Sequence, residues 1–352
     1  MDRIERKFNH MESIRLGKTG LYVTRTSFGA LPIQRVDFET ARTILRKAYE
    51  KGINYVDTAR MYTDSEEKIG YALADVREKM VLSTKSHAKD AKVLEEHLEI
   101  SLRSMKTDYI DIHQLHLANK VHAPGEPDGL YDAMVKAKEQ GKIRCIGITT
   151  HSVDVALEAA ASGLYDTVQF PLNHLSSEKD LSLIEVARKH DVGVIAMKGM
   201  SGGIITNPAL PFAFLRQYSN VVPIWGIQHE WELDEFLALE ASPPVLDEAL
   251  MREIHKDRQE LGGNFCRACG YCLPCPAEID IPQAARMIYL LRRMPWQTYV
   301  TPEWKAKMEK IRNCIHCDAC KSRCPYGLDT PALLEKNLEE YEKFYAEHVP
   351  GK

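Results

Sequence analysis

No run of about 18 apolar residues occurs in the 352-residue sequence, so no helical membrane span is expected. The opening residues, MDRIERKFNHMESIRLG, lack the apolar stretch of a secretory signal, and a cytoplasmic location is expected. Basic residues are in slight deficit: 46 Lys and Arg face 50 Asp and Glu, a net charge of −4. That balance argues against a nucleic-acid binder, which would carry a basic patch. No G-x-G-x-x-G follows the first strand-like run, which disfavours a doubly wound dinucleotide-binding sheet. Cysteine is almost missing from the first 265 residues, where Cys145 stands alone.

The other eight cysteines lie between Cys266 and Cys324. A disulfide scaffold is typically short and secreted, and this chain is neither. The eight therefore read as metal ligands, and the chain divides into two parts of different character, 1–245 and 246–352.

The first part alternates short β-branched runs with amphipathic helical stretches. The strand candidates are TRTSFGAL, INYVDTA, MVLSTKS, YIDIHQLHL, RCIGITT, DTVQFPL, GVIAMKG and NVVPIWG. In DFETARTILRKAYEKG, the residues Phe38, Ala41, Ile44, Leu45, Ala48 and Tyr49 form one stripe, and Gly52 is a stop signal. Eight strand–helix units of this length predict an α/β fold, a (β/α)8 TIM barrel. Chemistry in such barrels sits at the C-terminal ends of the strands. Those ends present Asp57, then Tyr62 in the following loop, Lys85, and His116, which shares a strand face with Ile112 and Gln114.

These four residue types suit general acid catalysis beside a hydride transfer. A free tyrosine has a pKa of ~10, too high for easy proton donation, and a nearby ammonium lowers it. A carboxylate keeps the lysine charged and in place, and a neutral histidine can orient a carbonyl.

The stretches NYVDTARMYTDSEEKIG, VLSTK, YIDIHQLH, GITTHS, DTVQFPLN and GVIAMKGMSGG resemble the aldo-keto reductase family over roughly residues 12–240. The resemblance implies Tyr62 as general acid, Lys85 and Asp57 as its tuning pair, and His116 as the carbonyl-orienting residue. It also implies NADP or NAD, with Thr149, Thr150 and Gln169 at the positions that hold the nicotinamide carboxamide. Met197 stands where an aromatic ring often stacks, and Glu235 fits an adenine-side glutamate. The segment WGIQHEWELDEF lacks the basic residues that hold an adenosine 2′-phosphate, and Phe236 replaces the usual asparagine. The choice between the two nicotinamides therefore stays open.

In the second part, CRACGYCLPCP contains Cys266, Cys269, Cys272 and Cys275, and CIHCDACKSRCP contains Cys314, Cys317, Cys320 and Cys324. The latter run has the spacing C-x2-C-x2-C-x3-C-P of bacterial ferredoxins, and the former is one residue shorter before its last cysteine. Two 4Fe-4S clusters follow, with zinc as the weaker alternative because this spacing is poor for a zinc finger. Since the distal cysteine of each run ligates the other cluster in two-cluster ferredoxins, Cys266, Cys269, Cys272 and Cys324 are expected to hold one cluster. Cys314, Cys317, Cys320 and Cys275 are expected to hold the other. The 38-residue spacer includes IPQAARMIYLLRRM and TPEWKAKMEKIRN, both helical in pattern. It is similar to the helical two-cluster ferredoxin domain.

The two parts together predict an oxidoreductase that acts on a small carbonyl or alcohol and is electrically linked to two clusters. A flavin is a further cofactor candidate, because nicotinamides move hydride while cubanes move single electrons. Ferredoxin or flavodoxin is the candidate electron carrier, with Arg292 and Arg293 as a basic docking patch. Two alternatives remain open: an electron-transfer protein whose barrel is a binding scaffold, or clusters that only brace the fold or sense redox state. His87, His151, His174 and His229 also fall just past strand ends and are candidates to bind a polar or anionic substrate or a further metal.

Overall fold

The computed structural model describes residues 11–262 and 265–349. By contact the chain divides into two units. One comprises residues up to Gly199 together with Pro208–Met251, and the other comprises Met200–Asn207 together with the chain from Arg252 onward.

The first unit is a closed barrel of eight parallel strands. A hairpin precedes it, made of β1 (Ser13–Arg15) and β2 (Tyr22–Thr24), paired antiparallel. The barrel strands are β3 (Ser27–Gly29), β4 (Tyr55–Asp57), β5 (Val81–Ser86) and β6 (Ile110–Leu115), then β7 (Ile143–Thr149), β8 (Thr167–Pro171), β9 (Gly193–Met197) and β10 (Val221–Gly226). Each pairs with the next, and β10 closes on β3 through Ile224 opposite Ser27. Seven lie within the runs expected from the sequence, and β7 begins one residue before its run, at Ile143. The expectation of a (β/α)8 TIM barrel is met, and helical elements follow as the second part.

Helices α1 (Phe38–Glu50), α2 (Ser65–Leu73), α3 (Ala91–Ser104) and α4 (Leu130–Glu139) lie between the barrel strands, followed by α5 (Val153–Ala161), α6 (Glu178–Lys189), α7 (Ala209–Arg216) and α8 (Glu230–Ala241). Local chemistry starts several of them. Asp37, Asp90 and Ser152 each accept a backbone N–H from the first turn, which satisfies a donor that the helix itself cannot. In α1 the buried residues are Ala41, Ile44, Leu45 and Ala48, the inner part of the predicted stripe.

The β1–β2 hairpin was not expected. Its Leu16 and Val23 are buried among Tyr55, Val81, Ile112 and Cys145, so the hairpin plugs the N-terminal end of the barrel. Gly17 makes this possible: it is left-handed (φ +53°), and a Cβ there would sit 2.2 Å from the Gly193 nitrogen. Arg15 clasps Asp191 through two hydrogen bonds of 2.8 and 2.7 Å. Cys145 is a buried wall residue of β7, and burial pushes its thiol up to about 12.

His113 on β6 is fully buried, with Nδ1 3.1 Å from Met134 Sδ and Nε2 without a hydrogen-bond partner among the described residues. Burial pushes its pKa down to about 4. In the unfolded chain a histidine takes up its proton near pH ~6.5. Between those two values the unfolded state binds more protons, so stability falls as the pH drops through that window. The full loss is roughly 3 kcal/mol, at about 1.4 kcal/mol per pKa unit. Thermal melts of wild type and His113→Leu between pH 7 and pH 4 are expected to diverge, with the wild type falling more steeply. Parallel curves would remove His113 as the cause.

The second unit is helical. It holds most of α9 (Glu248–Leu261), then α10 (Ile281–Ala284), α11 (Met287–Arg293), α12 (Pro302–Glu309), α13 (Ala319–Ser322) and α14 (Thr330–His348). The stretch IPQAARMIYLLRRM, expected as one helix, is two helices broken at Ala285–Arg286. The core gathers Ile281, Met287, Leu291, Met308, Leu334 and Tyr341, and five of the eight cysteines pack against it. Among the described residues no helix is long and apolar enough to cross a membrane.

Candidate functional site

Strands β4, β5 and β6 bring the four expected barrel residues together. Asp57 is the last residue of β4, Lys85 stands one residue from the end of β5, and His116 follows β6 directly. Lys85 Nζ donates to Asp57 Oδ2 at 2.6 Å and also to the Thr58 carbonyl. Asp57 is 2% exposed and Lys85 1%, so the pair is out of water. The ammonium of Lys85 lies 5.3 Å from the centre of the Tyr62 ring. His116 meets the same ring edge-on, with centroids 5.9 Å apart and planes at 79°.

The protonation states follow from burial. The Tyr62 hydroxyl is raised by burial; Lys85 lowers it and Asp57 raises it, and the outcome is a net rise. The expectation that Lys85 brings the phenol below its ordinary value is therefore corrected: loss of hydration outweighs the ammonium. His116 is held well below the ordinary histidine value by burial, with Lys85 and His87 adding to the effect, so its ring is neutral near pH 7. Its buried Nδ1 has no partner among the described residues.

Two further residues join this site: Ser83, which the sequence reading passes over, and Gln114, which it places on the His116 face without a role. Ser83 Oγ donates to Asp57 Oδ1 at 2.9 Å. Gln114 Nε2 reaches Ser83 Oγ and Gln169 Oε1 at 2.8 Å each, and Asp57 Oδ1 at 3.2 Å. Both follow from strand alternation: Ser83 precedes Lys85 by two residues, and Gln114 precedes His116 by two. Gly147 on β7 leaves room for them, since a Cβ there would fall 2.7 Å from Gln114 Cγ.

The residues aligned with a nicotinamide site are less uniform. Gln169 joins the Gln114–Asp57 network, its own Nε2 lying 3.4 Å from Asp57 Oδ2. Thr149 Oγ1 accepts the Leu117 N–H at 3.0 Å and keeps its own proton for another acceptor. Thr150 is spent on the backbone: it donates to the Ala118 carbonyl at 2.8 Å and accepts the Ser152 N–H at 3.0 Å. Met197 is half-buried at the end of β9, beside the barrel interior. Glu235 is exposed on α8, while Phe236 is buried and stacks on Trp225 with centroids 4.6 Å apart.

The remaining strand-end histidines scatter. His151 and His174 are buried, and His87 is exposed and faces His97 at 5.0 Å between ring centroids. The backbone of His229 starts α8, with Glu232 accepting its N–H at 2.9 Å. His122, Glu126 and Asp128 do converge, but Lys120 already sits on both carboxylates.

In the second unit the cysteines surround two cavities. One is lined by Cys266, Cys269, Cys272 and Cys324. The other is lined by Cys275, Cys314, Cys317 and Cys320, with Cys272 on the shared border. Each cavity thus takes its fourth cysteine from the opposite run. The two runs also share a backbone design. Ala268 and Gly270 in the first, and His316 and Asp318 in the second, are all left-handed (φ 48°, 83°, 49° and 54°). The chain therefore reverses at the same steps after Cys266 and after Cys314.

Burial pushes the Cys272 thiol up to about 12 and raises Cys266 and Cys320 as well. Thiolates at these positions call for a cationic centre, and metal binding supplies one while releasing the protons. The four-cysteine donor sets and the matching backbone turns fit 4Fe-4S clusters better than a zinc finger. Arg292 and Arg293 are not a bare basic patch: Arg292 pairs with Glu340 at 2.9 Å, and Arg293 pairs with Asp257 at 3.0 Å and with Glu260.

Architecture and rim together place the first unit in the class of (β/α)8 barrels with polar and titratable side chains gathered at the C-terminal strand ends. The profile of the aldo/keto reductase family matches residues 25–232, more than half of the chain, and the chain belongs to that family. Residues 265–329 match a 4Fe-4S dicluster domain. Among curated relatives, the aldo-keto reductase YhdN of Bacillus subtilis is 28% identical over 216 residues, 56% of this chain and 64% of that protein. The chain thus spans slightly under two thirds of that relative. L-galactose dehydrogenase of Arabidopsis thaliana is 28% identical over 215 residues, 56% of this chain and 67% of that protein. A solved aldo-keto reductase structure from Pseudomonas aeruginosa superposes with a TM-score of 0.59 at 25% identity, covering 66% of this chain and 96% of its own.

Proposed function

We propose that the barrel, within residues 1–245, interconverts a carbonyl and an alcohol on a small molecule with NADP or NAD. In this reading two 4Fe-4S clusters within 246–352 link it to a one-electron carrier such as ferredoxin or flavodoxin. One observation carries the barrel's part: the buried Lys85–Asp57 pair lies under the Tyr62 ring while a neutral His116 edges the same ring.

Tyr62, kept protonated by burial, holds the proton that a developing alkoxide needs. Lys85 stabilises the phenolate left behind, and Asp57 fixes Lys85 in place. A neutral His116 can donate one hydrogen bond to the substrate oxygen and bias which carbonyl face is presented. In the alcohol-oxidising direction the same residues run in reverse, with Tyr62 accepting the proton. Thr149 and Gln169 have the polar groups to hold a carboxamide, whereas Thr150 does not fit that role. A bound nicotinamide supplies the hydride.

A second reading, in which the barrel is a binding scaffold for the iron–sulfur unit, draws support from Thr150 and from the absence of Lys or Arg in WGIQHEWELDEF. Titrating the anaerobic, iron- and sulfide-loaded protein with NADPH and with NADH, followed by fluorescence quenching, separates the two. The first reading expects saturable binding, weakened roughly tenfold or more in Thr149→Val combined with Gln169→Leu. No binding of either nicotinamide by fully loaded protein would favour the scaffold.

A further inference from the structure

Arg286 is the one buried cation among the described residues of the second unit, at 7% exposure. It stands at the break between α10 and α11. Its Nη2 donates to the Gly202 carbonyl at 3.0 Å, its Nε has no partner, and no carboxylate pairs with it among the described residues. Gly202 is shaped for this approach: it is left-handed (φ +67°), and a Cβ there would lie 3.2 Å from both Nη1 and Nη2.

A buried guanidinium with a single carbonyl contact is costly unless an anion lies nearby. The anion at hand is the first cysteine quartet. Ile281 and Ala285, the latter adjacent to Arg286, line its cavity. The charge of Arg286 also favours the Cys266 thiolate against burial. Four thiolates outweigh the positive charge of an iron–sulfur core, so the filled site is an anion, and one-electron reduction makes it more negative.

Among the described residues the second cavity has no buried cation beside it. Asp318 lines it, and the nearby Lys310, Arg312 and Lys321 each pair with a carboxylate: Glu278, Glu342 and Asp329. Net charge is a main lever on cluster potential.

We propose that Arg286 makes the cluster held by Cys266, Cys269, Cys272 and Cys324 the higher-potential centre of the pair, so that the first electron to enter rests there. This rests on the reading that both quartets carry clusters. The asymmetry gives the iron–sulfur unit a direction. The second quartet contains Cys317, the most exposed of the eight cysteines, while the electron settles at the site beside the buried arginine.

The test is an anaerobic redox titration of the intact protein with dithionite, followed by electron paramagnetic resonance, on wild type, Arg286→Gln and Arg286→Lys. Iron and sulfide are measured on each sample. Wild type is expected to show two separate one-electron steps. Arg286→Gln should lower the reduction constant of the upper step about tenfold or more, equivalent to ~59 mV, and leave the lower step in place. Arg286→Lys, which keeps the charge, should restore most of the separation. A loaded Arg286→Gln protein with both potentials unchanged would overturn the proposal, as would an equal shift of both steps. Absence of iron and sulfide from anaerobic wild type would instead remove the cluster reading beneath it. If Arg286→Gln fails to load, the Lys variant decides: a wild-type separation supports the charge, and a collapsed one overturns it.

Discussion

Tyr62→Phe is expected to lower carbonyl turnover by ~10²–10⁴-fold while the barrel stays folded. The Tyr62 hydroxyl makes no hydrogen bond to a described residue, so its removal orphans nothing, and the melting transition should move by no more than ~0.5 kcal/mol. The defect should fall on kcat and kcat/KM together, the mark of a group used in the transition state. An acid works only while protonated, and burial raises Tyr62 above its ordinary value. The wild-type rate should therefore hold through neutral and mildly alkaline pH and decline only beyond the usual tyrosine range. Steady-state kinetics across pH on both proteins checks this. Full turnover in Tyr62→Phe would remove the acid assignment.

Lys85→Met is expected to destabilise the barrel by ~3–5 kcal/mol as well as abolish turnover. The reason is what stays behind. Asp57 would remain 2% exposed, with hydrogen bonds from Ser83 and Gln114 but no counter-charge. Taking out both members, Lys85→Met with Asp57→Leu, should return much of the stability and none of the activity. At ~2–4 °C per kcal/mol for a unit of this size, the single variant should melt roughly 10 °C lower. A melting point within a degree of wild type would mean that Asp57 finds another partner or sheds its charge.

The elements that could be read in advance are those set by local pattern. Runs such as VLSTKS and YIDIHQL are β-branched, apolar and short, and they became β5 and β6. The strand ends then placed Asp57, Lys85 and His116 side by side, because a parallel barrel aligns its C-terminal ends. Cysteine spacing pointed to clusters for a similar reason, since a step of three returns successive thiols to one loop face. What resisted depends on distant packing. The hairpin strands are three residues each, too short to show a period, and their burial comes from the barrel floor. The break at Arg286 hides inside a continuous helical stripe. The direction in which Tyr62 shifts is decided by how much water the fold removes, which four residue types in a row cannot reveal. Thr150 matched a cofactor position by resemblance, yet its hydroxyl is consumed in fastening the loop after β6.

The exchange of fourth cysteines between the two cavities has a consequence for biosynthesis. The first cavity is lined in part by Cys324 and the second in part by Cys275, so neither is lined by its own run alone. As the chain leaves the ribosome, three thiols of the first site emerge about fifty residues before their partner. Until Cys324 is made, the first run can offer its own four cysteines but not the set that lines the first cavity of the folded chain. Both sites then become complete at almost the same moment, the last closing with the same short stretch of chain. A nascent chain stalled before residue 314 therefore holds neither of the two cysteine sets that line the cavities of the folded protein.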